Sequence, residues 1–268
     1  MPGHRARKRF GQNFLVSPKI TNRIVELVGL SANDTVVEIG PGEGALTVPL
    51  AQAGARVVAV EFDRDLIAGL TEQVRQYERV TVLNQDFLRF DPKAQGLERF
   101  VLVGNLPYNL SSPVIEWAMR HAAMIERAGF MLQKALAERL CSPPWGKDWS
   151  PRAVFPKWVF EAHRRFDVGP EHFRPRPKVT SSVVELRPKA ERITDLPPKF
   201  ESVVRGAFRQ RRKQLVNNLV PEILPTAAEA RAVIEACGLP SNVRAEQLSL
   251  GDFFDLTRRI GSRTINRQ

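Results

Sequence analysis

At 268 residues the chain has room for one large domain and a smaller one, since domains usually run to about 100–200 residues. Hydrophobic residues make up 43% and charged residues 26%, a globular balance that excludes a disordered chain, and a formal charge of +11 favours a polyanionic partner, nucleic acid before membrane. No apolar run reaches the ~20 residues of a membrane span, and the two cysteines and four histidines fall in no zinc-ligand spacing, so neither a membrane segment nor a bound metal is expected.

The first nine residues carry Arg5, Arg7, Lys8 and Arg9 with no apolar stretch behind them, so no secretory signal is expected and the protein is expected in the cytoplasm. The apolar run 36–39 ends in the glycine turn Gly40-Pro41-Gly42-Glu43-Gly44, and an amphipathic stretch follows from 45 to about 53. A second apolar run, 56–60, is closed by Glu61. A helical pattern then covers 66–77, and the strand-like 80–83 ends near Asp86. Residues 100–103 lead into Asn105-Leu106-Pro107-Tyr108, with a helix starting near Ser112-Pro113; 129–132, 158–166 and 179–186 supply the remaining strands. Short apolar strands alternating with helical patterns predict βαβ units and a parallel sheet.

The Pro-rich, charged stretch 187–199 reads as a linker. Beyond it the chain turns helical, with Val204, Phe208, Leu215 and Leu219 on one stripe and Arg205, Arg209, Arg212 and Lys213 largely on the other. The expected architecture is a doubly wound α/β domain over residues 1–187, then a linker and a small helical domain over 188–268.

A strand-to-helix turn such as 40–44 bends sharply and lets a ligand approach the backbone, which residues without Cβ permit. Gly40 and Gly42, followed by Ala45, also satisfy the dinucleotide fingerprint, so the glycines alone leave a dinucleotide and S-adenosylmethionine both open. Glu61, roughly twenty residues on at the end of the second strand, can accept hydrogen bonds from both ribose hydroxyls. Asp86 can accept from an adenine amine. Glu38 and Glu43 flank the turn and would repel a pyrophosphate, whereas a sulfonium tolerates acidic neighbours; with Pro41 inside the turn, this favours S-adenosylmethionine.

Asn105-Leu106-Pro107-Tyr108 follows the fourth strand, at the carboxyl edge of the sheet where ligands bind in this architecture. An exocyclic adenine amine is a poor nucleophile because its lone pair is delocalised into the ring. An enzyme can draw that pair back by accepting both N–H hydrogens, here with the side-chain oxygen of Asn105 and the carbonyl of Leu106, while Pro107 fixes the loop. Tyr108 would stack on the base, a contact worth roughly 1–3 kcal/mol in single-strand binding. The basic clusters Arg5/Arg7/Lys8/Arg9 and Arg205/Arg209/Arg212/Lys213 are expected to contact RNA phosphates. Packing is the expected role of Trp145, Trp149 and Trp158.

Taken together these residues resemble the KsgA/RsmA family of rRNA adenine dimethyltransferases. The likeness runs from Lys8-Arg9-Phe10-Gly11-Gln12-Asn13-Phe14-Leu15 through Glu38–Gly42, Gly104–Asn109 and Phe130–Lys134. It continues through Phe173-x-Pro175-x-Pro177-Lys178-Val179-x-Ser181, the segment from Phe208 to Leu219 and Arg244-Ala245-Glu246-Gln247-Leu248-Ser249, close to the whole chain. The resemblance implies a Rossmann-like class I S-adenosylmethionine-dependent methyltransferase domain with a small C-terminal all-helical domain. It implies cofactor contacts at Asn13, Leu15, Gly40, Glu61, Asp86 and Asn105, beside the Gly42 of the turn, and a substrate of two neighbouring adenines near the 3′ end of 16S rRNA in an immature 30S subunit. A monomer is expected. One region departs from the family pattern: Trp149-Ser150-Pro151-Arg152-Ala153-Val154 replaces a tyrosine-glycine pair and a Leu-Ser-Val strand start, and Ala135 stands where a glutamate is common. Two other readings remain at this stage, a large-subunit rRNA methyltransferase of the antibiotic-resistance type and a non-catalytic factor that binds small subunits or nucleic acid.

Overall fold

Runs of Val, Ile and Leu buried on both faces build the centre of the sheet, as parallel strands covered by helices require. The computed structural model describes residues 13–189 and 196–265, so the arginines and lysine at 5, 7, 8 and 9 lie outside the described residues. The chain divides into two compact units, one of residues 1–137 and 160–189, the other of 138–159 and 190–268.

The elements of the first unit begin with β1 (Phe14–Leu15), α1 (Pro18–Val28), β2 (Thr35–Ile39), α2 (Thr47–Gln52), β3 (Arg56–Glu61), α3 (Arg64–Val74) and β4 (Val80–Asn84). There follow β5 (Phe100–Asn105), α4 (Ser111–Arg120) and β6 (Ile125–Gln133); after α5 (Lys134–Cys141) and the second unit's α6 (Pro151–Val159), the first unit resumes with β7 (Phe160–Val168), β8 (Phe173–Arg174) and β9 (Ser181–Pro188). The sheet order is β4-β3-β2-β5-β6-β9-β7. The pairs from β4 to β6 are parallel, while β9 is antiparallel to both β6 and β7, so one reversed strand corrects the all-parallel expectation. On one face of the sheet Val36, Val57, Ala59, Val101 and Val103 pack against Ile20, Ile24 and Val28 of α1 and against Leu46 and Leu50. Trp117 of α4 is buried elsewhere in the unit, its ring 4.5 Å from that of Phe87.

Helix α1 starts with Pro18 in its first turn and ends on Gly29 at φ 55, in the left-handed region that glycine adopts freely. Its apolar positions Ile20, Ile24 and Val28 repeat every four residues and form the buried stripe.

The second unit contains α6 and the helices α7 (Phe200–Ala207), α8 (Leu215–Leu219), α9 (Ala227–Ala236) and α10 (Leu250–Ile265). Trp149, Ala153, Val154 and Trp158 pack into its core with Phe200, Val203, Val204 and Phe253. Residues 138–159 therefore join the helical unit, unlike the expected boundary at 187/188. Trp158 lies in α6, which runs to Val159, and the strand expected from 158 begins at Phe160. Trp149 and Trp158 are core residues, whereas Trp145 is 71% exposed.

The stripe expected along 204–219 is broken: α7 stops at Ala207 and α8 starts at Leu215. The buried Asn218 holds the intervening loop, donating from Nδ2 to the carbonyls of Ala207 (2.7 Å) and Gln210 (3.1 Å) and accepting from the Gln210 N–H (3.1 Å). These bonds replace the helical ones that the loop gives up.

Candidate cofactor and target-base site

β2 lies between β3 and β5, and the connections leaving β2 and β5 go to opposite sides of the sheet. The carboxyl ends of these two strands thus open the crevice in which doubly wound sheets bind ligands. The glycine turn leaves β2 there, and the Asn105–Tyr108 loop leaves β5 beside it.

Gly40 and Gly42 both have φ of +59. A Cβ on Gly40 would meet nothing within 4 Å, so backbone conformation alone requires glycine there; at Gly42 it would also stand 3.0 Å from the Phe14 ring. The Glu61 carboxylate fixes the turn from the adjacent strand. Its Oε2 accepts from the Gly42 N–H at 3.0 Å and its Oε1 from the Asp63 N–H at 2.7 Å. Burial pushes the Glu61 carboxyl above its usual range, against the lowering effect of those N–H groups.

Glu38 is 1% exposed, and its Oε2 has no hydrogen-bond partner among the described residues. Burial, with the Glu61 charge acting in the same direction, raises its carboxyl to about 8. Asp86 accepts from the Leu88 N–H at 3.0 Å through Oδ1 and caps the short turn that follows β4.

On the facing side, Asn105 Nδ2 donates to the main-chain carbonyl of Asn13 at 2.9 Å. Asn105 Oδ1 has no partner among the described residues. Leu106 donates its N–H to Met131 O of β6 at 3.1 Å, and among the described residues its carbonyl accepts nothing. Pro107 O receives the N–H groups of Leu110 (2.9 Å) and Ser111 (3.1 Å), which anchors the loop to the start of α4. Tyr108, half-buried, brings its hydroxyl within 3.4 Å of Ser181 Oγ.

Two adjoining cavities share Gly40, Glu61 and Pro107. One, of about 730 Å³, is lined by Asn13, Leu15, Glu38, Gly42 and Asn105–Tyr108; the other, of about 940 Å³, is lined by Phe62, Asp63 and Asp86. The structure therefore brings Asn13, Leu15, Gly40, Gly42, Glu61, Asp86 and Asn105–Tyr108 into one crevice. Among the described residues its walls carry Glu38, Glu43, Glu61, Asp63 and Asp86 and no Lys, Arg or His. Such a wall disfavours a pyrophosphate and suits a ligand with positive groups.

Sequence reading missed Phe14 and Phe173, which also line the first cavity, and the 59%-exposed Phe62 of the second. β1 pairs antiparallel with β8, setting Leu15 opposite Phe173, a two-residue ladder that leaves no periodic signal. An apolar ring exposed directly after a strand-end acid was the signal available for Phe62.

The expected RNA-contact residues of the helical unit do not behave alike. Arg205 pairs with Glu201 at 2.8 Å, and Arg209 is bound to Glu222 and to the carbonyl of Val220 (3.0 Å). Arg212 and Lys213 are exposed on the 208–214 loop and make no ion pair among the described residues. Among the described residues no group of His, Cys, Asp and Glu could hold a metal ion, and no helix is long and apolar enough to cross a membrane.

A family model described as ribosomal RNA adenine dimethylase matches residues 3–261. The ribosomal RNA small subunit methyltransferase A of Methylococcus capsulatus is 42% identical, with 96% of this chain and 98% of that protein aligned. The protein of the same name from Pseudomonas aeruginosa is 40% identical, with 98% of each covered. Among solved structures, a dimethyladenosine transferase from Plasmodium falciparum superposes with a TM-score of 0.80 at 25% identity, covering 91% of this chain and 95% of that one. The 23S rRNA methyltransferase ErmE superposes with a TM-score of 0.73 at 28% identity, covering 92% and 99%.

Proposed function

The chain belongs to the ribosomal RNA adenine dimethylase family, and on that premise we propose that it dimethylates N6 of two adjacent adenines in the 3′-terminal hairpin of 16S rRNA, using S-adenosylmethionine. It is an S-adenosylmethionine-dependent rRNA adenine dimethyltransferase. Relatives near 40% identity carry small-subunit names over nearly their whole length, whereas the large-subunit enzyme ErmE shares 28%, which favours the small-subunit reading. The proposed setting is an immature 30S subunit in the cytoplasm, with the chain working as a monomer.

The crevice fits the cofactor on its own chemistry. Glu38 offers a buried carboxyl oxygen with no partner among the described residues, and among those residues no cation opposes the acidic groups of the wall. Glu61 would hold the ribose hydroxyls, Asp86 the adenine amine, and the Gly40–Gly42 backbone, Asn13 and Leu15 the remainder. When bound, S-adenosylmethionine supplies a methyl group already activated by its positive sulfur.

The observation that carries the reading of the second half of the site is the paired acceptor geometry of the loop. Among the described residues Asn105 Oδ1 and the Leu106 carbonyl have no partners, on a backbone anchored by Met131 and Pro107. They would accept the two amine hydrogens of the target adenine and return its lone pair to nitrogen, with Tyr108 stacked on the ring. Positioning carries much of the rate, because no strong base is needed.

The test is transfer of label from tritiated S-adenosylmethionine to undermethylated 30S subunits, with 50S subunits alongside. The expected product is dimethyladenosine in 16S rRNA. Label confined to 50S material would assign the chain to the large-subunit branch, and cofactor binding without transfer would assign it a binding role.

A further inference from the structure

The basic side chains near β7 and β9 fall into two groups. Those of the strands, with Lys134 at the start of α5, are neutralised. Lys134 and Arg164 each reach Asp167 at 2.8 Å, and Arg165 and Arg187 bind the two oxygens of Glu185, Arg187 at 2.6 Å. Lys134 and Ser182, with Arg164, hold the Asp167 carboxyl down to about 2; Glu185, although burial opposes it, is held low by its two arginines.

The connection from β8 to β9 differs. Arg174, Arg176 and Lys178 are exposed and have no carboxylate within ion-pair distance among the described residues. They alternate with Pro175 and the buried Pro177, whose rings fix φ and stiffen the segment. Both ends of the segment are built into the crevice. Phe173 lines it and pairs with Leu15, and Val16 donates to His172 O at 2.9 Å. At the far end Thr180 O receives the Lys134 N–H at 3.0 Å, and Ser181 Oγ meets the Tyr108 hydroxyl. Three unpaired cations are thus held on a stiff strap whose ends touch a wall of the target-base cavity and the ring expected to stack on the base.

We propose that Arg174, Arg176 and Lys178 form a phosphate track that grips the RNA backbone beside the target adenine. The proposal rests on the rRNA methyltransferase reading and adds a binding element to it. A base that leaves its stack to enter the cavity carries its flanking phosphates to the rim, and unpaired cations bind them without first breaking an internal ion pair.

The experiment compares full-length wild type with the triple variant Arg174→Gln/Arg176→Gln/Lys178→Gln and the control Arg164→Gln, measuring KM for undermethylated 30S subunits over a series of KCl concentrations at fixed Mg²⁺. Each lost phosphate contact should flatten the log–log salt dependence by roughly 0.7. The triple variant is expected to show a slope shallower by about 2, a KM raised at least tenfold, a kcat within twofold of wild type and unchanged S-adenosylmethionine affinity. Arg164→Gln should match wild type, and the double variant Arg174→Lys/Arg176→Lys should keep the wild-type slope, since a point charge suffices. An unchanged slope and KM in the glutamine variant would overturn the track while leaving the methyltransferase reading intact. Absence of transfer by wild type would instead overturn that reading and the track with it.

Discussion

Asn105 donates its side-chain N–H to the main-chain carbonyl of Asn13, 92 positions earlier in the chain, at 2.9 Å. This bond settles which end of the amide faces the crevice, because a nitrogen committed to Asn13 leaves Oδ1 as the acceptor. It also ties the residue before β1 to the last residue of β5, so residues far apart in the sequence define one wall.

Gly104 precedes Asn105 and pairs with Ile39 of β2. A Cβ there would stand 2.9 Å from Leu106 Cδ2 and 3.0 Å from the carbonyl oxygen of Ile39. Gly104→Ala is expected to cost roughly 1–3 kcal/mol of stability through overpacking and to lower methyl transfer as Leu106 is displaced. Thermal melts and single-turnover rates check both; a fully active, fully stable variant would show that the loop tolerates the shift.

Glu61 accepts two backbone N–H groups that a glutamine amide cannot both satisfy. Glu61→Gln is therefore expected to displace the glycine turn and to weaken S-adenosylmethionine binding at least tenfold, given about 1.5–3 kcal/mol for a hydrogen bond to a charged group. Asp86→Ala should weaken binding as well. Calorimetric titration with the cofactor measures both, and wild-type affinity in Glu61→Gln would remove it from the ribose role.

Glu38 gives a pH dependence of defined sign. Its carboxyl sits at about 8 in the folded chain against 4.5 ordinarily, so between those values the folded chain binds more protons than the unfolded one. The contribution of this group to stability is full below about pH 4.5 and declines as pH rises through about 8. Glu38→Gln removes the titration, so its melting temperature should gain on wild type steadily across that window. Parallel curves would mean that the carboxyl is ionised without penalty.

Much of this was legible in the sequence. Near-continuous apolar runs announced β2, β3 and β5, and the strand-end acids and glycines placed the crevice, because parallel strands and their turns leave local signals. What was not legible depended on contacts remote in sequence. Helix α1 carries its own punctuation in Pro18 and Gly29, yet the basic arm before it drew attention to charge rather than to its four-residue apolar repeat. The assignment of 138–159 to the helical unit rests on Trp149 and Trp158 packing beside residues far along the chain. Likewise, the break at 208–214 comes from one side chain, Asn218, and hydrophobic periodicity continues across it unaware.

Asn218 therefore deserves its own variant. Asn218→Ala leaves the carbonyls of Ala207 and Gln210 without their donor, at roughly 1–3 kcal/mol for a buried unsatisfied group. Trypsin should then cleave within 209–213 faster than in wild type, while Asn217→Ala, altering an exposed side chain, should not change the rate. Equal cleavage of the two variants would mean that the loop is held by other contacts.

The most direct measurement is single-turnover methyl transfer to undermethylated 30S subunits by Asn105→Ala, with cofactor affinity determined on the same preparation. Loss of one positioned polar contact in a reacting site typically costs about 10²–10³ in rate. A fall of that size, with 30S binding retained and cofactor affinity reduced by far less, is the result expected if Asn105 Oδ1 accepts a hydrogen of the target amine. Transfer at the wild-type rate, or a loss matched in full by weaker cofactor binding, would contradict that role.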